Sequence, residues 1–167
     1  MLLIYTGNGK GKTSACVGQA IRAMGQTLSV AFGQFMKRDE QAGEQEMLRE
    51  LLGDDFLASG AGFYRGADHD MHRGKVEELL QWARERLDHG VDMLILDEAI
   101  YALNHGLLLE DEVRGLIERC RGEDRHLVLS GRGAPDWMIE LADIVSEITE
   151  VKHVYASGGK ARRGIEF

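Results

Sequence analysis

The stretch Thr6-Gly7-Asn8-Gly9-Lys10-Gly11-Lys12-Thr13 decides the fold. It follows the short apolar run Leu2-Leu3-Ile4-Tyr5. It opens a segment in which Val17, Ala20, Ile21 and Met24 recur at helical spacing before Gly25. Strand, glycine-rich loop and helix in that order form the context of a phosphate-binding P-loop. The glycines let successive backbone N–H groups turn inward on phosphate oxygens, where a side chain would clash. Lys12, expected to project from an exposed loop, supplies positive charge to the terminal phosphates, and the Thr13 hydroxyl suits Mg²⁺. The general consensus has a glycine where this chain has Thr6. A glycine-rich turn that binds nothing is the alternative, and Gly-Lys-Thr at a helix start argues against it. The stretch is read as a nucleoside triphosphate site.

The rest of the composition bounds that reading. A chain of 167 residues suits one domain, residues 1–167, with a proper core. Hydrophobic content of 44% and charged content of 29% are those of an ordinary globule. A formal charge of −8 argues against a nucleic-acid partner. The two cysteines, Cys16 and Cys120, fall at apolar helix positions and read as reduced core residues. No apolar run reaches membrane-spanning length, and the N-terminal run breaks at Gly7, too early for a secretory signal. The expected location is cytoplasmic, with no membrane partner.

Working outward, Leu28 to Phe35 reads as a second strand, followed by the charged connection Lys37 to Gln41. In an open α/β sheet, ligands sit beyond the carboxyl ends of strands, so this connection is expected to face the nucleotide. Residues 43–52 read as a helix and 56–59 as a strand. The loop from Gly60 to Ala67 then displays Phe63 and Tyr64, with packing the reading that the residues alone favour. Val76, Leu79, Leu80, Ala83 and Leu87 mark a long helix, and Met93 to Leu96 a strand. Val113, Leu116, Ile117 and Cys120 mark another helix, with acidic residues in its first turn. Strands follow at 126–130 and 144–148, with a short helix from Pro135 to Leu141 between them. Strands alternating with helices predict a three-layer α/β domain of P-loop NTPase type, with a mainly parallel sheet of about six strands.

Two acidic residues, Asp97 and Glu98, end the strand at 93–96. With a P-loop upstream, they are read as holding Mg²⁺ opposite Thr13. Asp68-His69-Asp70-Met71-His72 has suitable metal-ligand types, but one short run lacks distant partners, so a solvated polar loop is expected. Arg132, Lys160, Arg162 and Arg163 are basic residues in an acidic chain, and arginine suits bidentate phosphate contacts. Residue chemistry alone reaches a Mg²⁺-dependent nucleotide enzyme and leaves hydrolysis, phosphoryl transfer and attack elsewhere on the nucleotide open.

Several strings together resemble one family. They are the segment from Tyr5 to Thr13, Gln34-Phe35-Met36-Lys37, Gly43-Glu44, Gly62-Phe63, Leu96-Asp97-Glu98 with Tyr101, and Gly131-Arg132-Gly133. Glu140-Leu141-Ala142-Asp143, Val151-Lys152-His153 and Gly164-Ile165-Glu166-Phe167 complete the set. This is similar to the P-loop type of ATP:corrinoid adenosyltransferase, which also has threonine in place of the missing glycine.

The resemblance implies that cob(I)alamin cobalt attacks C5′ of ATP and releases triphosphate, in adenosylcobalamin biosynthesis or salvage. It implies ATP binding by Gly7, Asn8, Gly9, Lys10, Gly11, Lys12, Thr13 and Arg132, with the nucleotide reversed in the loop. Lys12, Thr13 and Glu98 would act on the leaving group, with Mg²⁺ on Thr13, Glu98 and Asp97. Phe63, with Tyr64, would pack under the corrin and help remove lower ligands from Co(II). The family has Trp where this chain has Arg65, and some members carry a covering segment before the first strand, so that cover is expected to be absent or to come from elsewhere. A homodimer and an electron-donor protein are the implied partners. Two other readings compete. One is a P-loop ATPase driving a partner's conformation. The other is a corrinoid carrier, for which Asp70-Met71-His72-Arg73-Gly74 comes within one position of a D-x-H-x-x-G pattern.

Overall fold

Continuous apolar runs, rather than alternating ones, mark strands covered on both faces. Two such strands are β2 (Val30–Phe35) and β4 (Met93–Asp97), in which every residue is buried. β1 (Leu2–Thr6) and β5 (His126–Ser130) are nearly so. With β3 (Phe56–Ser59) and β6 (Ile144–Glu147) they form one six-stranded sheet, in the order β3-β2-β4-β5-β1-β6, and every neighbouring pair is parallel. The computed structural model describes residues 1–62 and 64–165.

Helices cover both faces. α1 (Lys12–Met24) and α2 (Gly43–Leu52) pack with Leu3, Phe32, Ile95 and Val128 on one side. α3 (His69–Asp88), α4 (Ala99–Asn104), α5 (Glu110–Gly122) and α6 (Asp136–Leu141) contribute to the core around Ile4, Ala31, Leu94 and Leu129 on the other. Successive strand residues alternate between the two cores, as the pleat requires. Both cysteines are buried, Cys16 against one face and Cys120 against the other.

Three sequence expectations are corrected, and one helix is added. β2 begins at Val30 rather than Leu28. The buried stripe of α1 is Cys16, Ala20 and Ala23, while Ile21 is 48% exposed. Small side chains at that stripe let the helix lie close to the sheet. Residues 69–72 are not a solvated loop but the first turn of α3, and His72 is buried there. α4 was not anticipated, because six residues are too few to set a periodicity.

Candidate active site

The six parallel strands all point their carboxyl ends to one edge, and a cavity of about 900 Å³ opens there. Its wall includes Gly9 to Ser14 of the loop and α1, Met36 and Lys37 after β2, Glu98 and Tyr101 after β4, and Arg132 after β5. Glu150, His153, Tyr155 and Ile165 close it from the C-terminal segment. Two strands leave the sheet through non-glycine residues in the left-handed region, Met36 (φ 62°) and Glu98 (φ 59°). Such conformations cost of order 1 kcal/mol and collect at functional sites. Both residues line this cavity.

The loop glycines have distinct causes. A Cβ on Gly7 or Gly9 would lie 2.5 Å or 2.7 Å from the Ile148 carbonyl oxygen. The Gly9 N–H donates to that same oxygen at 2.7 Å. Gly11 faces open space but holds φ 123°, which a side chain strains. Lys12 corrects an expectation. It does not project from an exposed loop but is 8% exposed, and its ammonium donates to the carbonyls of Gly7 (2.9 Å) and Gly9 (2.7 Å). Burial lowers its pKa, and the Arg132 charge lowers it further.

Asp97 is the hub of the metal-type oxygens. Its fully buried carboxylate accepts from the Ser130 hydroxyl at 2.6 Å and the Thr13 hydroxyl at 3.0 Å. It also accepts from the Lys37 ammonium at 3.0 Å and the Gln34 amide at 3.2 Å. Lys37 donates further to Glu44 (3.0 Å) and Thr13 Oγ1 (3.1 Å). Burial alone would lower the Lys37 pKa, but the carboxylates of Asp97 and Glu44 outweigh it and raise the value. Glu98 also faces the cavity, and its pKa is raised by burial and then by the neighbouring Asp97 charge. Thr13 thus meets Asp97 rather than Glu98. The donor set consists of hard oxygens, Thr13 Oγ1 with the Asp97 and Glu98 carboxylates, which fits Mg²⁺ shared with phosphate oxygens.

Other sequence candidates divide. Gly9, Lys10, Gly11, Lys12, Thr13 and Arg132 border the cavity, whereas the exposed Asn8 does not. Tyr64 lies away from it, packed edge-on to His72 at a ring separation of 5.1 Å and to His105 at 5.9 Å. Phe63 lies outside the described residues. Among the described residues no cluster of three or more His, Cys, Asp or Glu side chains could hold a metal, 68–72 included. Sequence reasoning gave no site role to Gln34, Glu44, Gln45 or Ser130. It expected the connection from Lys37 to face the nucleotide, and Lys37 does line the cavity, but its pairing with Asp97 was not foreseen. Gln34 and Ser130 sit at strand carboxyl ends, a position that could have singled them out.

A family model described as ATP:corrinoid adenosyltransferase BtuR/CobO/CobP matches residues 1–167. The chain belongs to this family. A corrinoid adenosyltransferase of Pseudomonas aeruginosa is 38% identical over 170 residues, covering 100% of this chain and 83% of that protein. One from Escherichia coli K12 is 36% identical, covering 100% and 85% respectively. The corrinoid adenosyltransferase CobA of Salmonella typhimurium is 33% identical with the same two coverages.

Proposed function

We propose that this chain is an ATP:corrinoid adenosyltransferase acting as a single domain, and that the cavity at the sheet edge holds its ATP. Cob(I) cobalt, the substrate nucleophile, forms a bond to C5′ with its own electron pair. The C5′–oxygen bond breaks, and its electrons leave with triphosphate. Membership in the family over the whole chain carries the reading, and the phosphate loop opening on the cavity supports it.

A strong nucleophile needs no general base, so the protein's work is to orient ATP and to stabilise charge on the departing triphosphate. Lys12, the loop amides and Arg132 bear on that charge. Bound Mg²⁺, held by Thr13, Asp97 and Glu98, would neutralise part of it. We place Phe63 beneath the corrin, and assign Tyr64 to holding its loop on α3 through His72. A homodimer, a cytoplasmic location, a role in biosynthesis or salvage, and an electron-donor protein for Co(II) reduction belong to the same proposal.

The test is anaerobic incubation with ATP, Mg²⁺ and chemically reduced cobalamin. Absorbance should convert to that of adenosylcobalamin with stoichiometric triphosphate. Phosphate release independent of corrinoid would instead make the chain an ATPase.

A further inference from the structure

We infer that a second cavity, lined by Arg38, Asp39, Gln41, Ala61, Gly62 and Arg65, is an anion subsite for the corrinoid substrate. It takes a carboxylate or phosphodiester carried at the corrin periphery. The inference rests on the proposed function and adds a substrate class to it.

The cavity has a volume of about 590 Å³ and shares Gln41 with the nucleotide cavity, so the two adjoin. Its two loops are tied together. The Gly62 N–H donates to the Met36 carbonyl at 3.1 Å, and a Cβ on Gly60 would lie 2.3 Å from the Met36 carbonyl carbon. Arg38 Nε donates to the Ala61 carbonyl at 2.9 Å, and among the described residues no hydrogen bond takes up its terminal nitrogens. Its backbone is fixed from both sides, by Gln41 Oε1 on its N–H (2.9 Å) and Gln45 Nε2 on its carbonyl (3.1 Å).

Among the described residues no carboxylate pairs with Arg38 or Arg65. The one acid in the lining, Asp39, is paired with Arg49. Two unneutralised guanidiniums therefore flank a groove beside the active site, in a chain of net charge −8. Guanidinium forks match carboxylate and phosphate geometry, and a charge-assisted pair contributes more than a neutral hydrogen bond. A corrin seated with its cobalt at the nucleotide cavity has side chains that reach sideways. A groove adjoining at Gln41 is where such a side chain would fall.

The test uses equilibrium binding to the full protein in the presence of ATP and Mg²⁺, so that it does not depend on transfer. Three corrinoids separate the sources. Cobyric acid has one free carboxylate, cobalamin has a phosphodiester, and cobinamide has neither. Arg65→Gln should weaken binding of cobyric acid, cobalamin or both by about tenfold, while cobinamide changes less than twofold. Arg65→Lys should retain most of the affinity, and the loss should shrink at high salt. A loss confined to one anionic corrinoid identifies the source. Equal changes for all three, or none, overturn the subsite while leaving the proposed function intact. Failure of the wild type to bind any corrinoid overturns both.

Discussion

The ammonium of Lys37 lies 3.0 Å from Oδ2 of Asp97, a carboxylate with no exposed surface. Burying that charge is tolerable because a cation and three polar donors, Thr13, Ser130 and Gln34, surround it. Lys37→Met would keep the stem and remove the cation. It should destabilise the fold by about 2–4 kcal/mol in urea denaturation. Millimolar Mg²⁺ should restore more stability to the variant than to the wild type, since the oxygens Lys37 contacts suit a hard cation. Wild-type stability in the variant would mean that the neutral donors Thr13, Ser130 and Gln34 hold Asp97 without the cation.

Lys12 is bonded into its own loop, so its removal acts twice. Lys12→Ala should abolish adenosyl transfer and also cost about 1–2 kcal/mol, because the Gly7 and Gly9 carbonyls lose their donor. Far-ultraviolet circular dichroism at room temperature should remain that of the wild type. Stability and transfer are measured on the same preparation. Near-normal transfer would remove the loop lysine from the mechanism.

The alternation of strands and helices, the phosphate loop and the acidic strand end were legible because each rests on local sequence spacing. Residues 43–52 and 56–59 match α2 and β3 residue for residue. The role of Lys37 was not legible. It is a surface-type residue in a charged run, and only the pairing of β2 beside β4, Gln34 opposite Asp97, brings it to a buried carboxylate. The buried face of α1 was misplaced for a similar reason. Small residues, Cys16, Ala20 and Ala23, face the sheet, and larger apolar ones such as Ile21 face outward, which inverts the usual hydrophobic stripe. The nature of the Gly7 and Gly9 requirement was hidden as well, because the obstacle is backbone some 140 residues away at Ile148.

Asp97 and Glu98 are adjacent but should fail differently. Asp97 accepts from four side chains at the centre of the site, whereas Glu98 borders the cavity. Asp97→Asn should lower the melting temperature by several degrees and raise the Mg²⁺ concentration needed for half-maximal transfer. Glu98→Gln should raise the Mg²⁺ requirement with little change in melting temperature. Equal thermal losses in the two variants would contradict the division of roles read from these contacts.

Packing and phosphate contact are separable within the loop. Gly9 lies against the segment that leaves β6, where a Cβ would come within 2.7 Å of the Ile148 oxygen and 2.8 Å of the Thr149 carbonyl carbon. Both are backbone atoms, so no side-chain rotation relieves the clash. Gly9→Ala must push the loop off that segment and break the Gly9 to Ile148 hydrogen bond. It should cost about 1–3 kcal/mol and raise the KM for ATP, since the same segment leads to Glu150 and His153 in the cavity wall. Gly18→Ala is the control. Gly18 lies inside α1 with open space where its Cβ would go, so alanine there should be neutral or stabilise by about 0.5–1 kcal/mol. Denaturation midpoints of the two variants, measured beside ATP saturation curves, decide the matter. If Gly9→Ala is as stable as Gly18→Ala yet loses ATP affinity, the glycine serves the phosphate alone and the clamp to Ile148 has no energetic role.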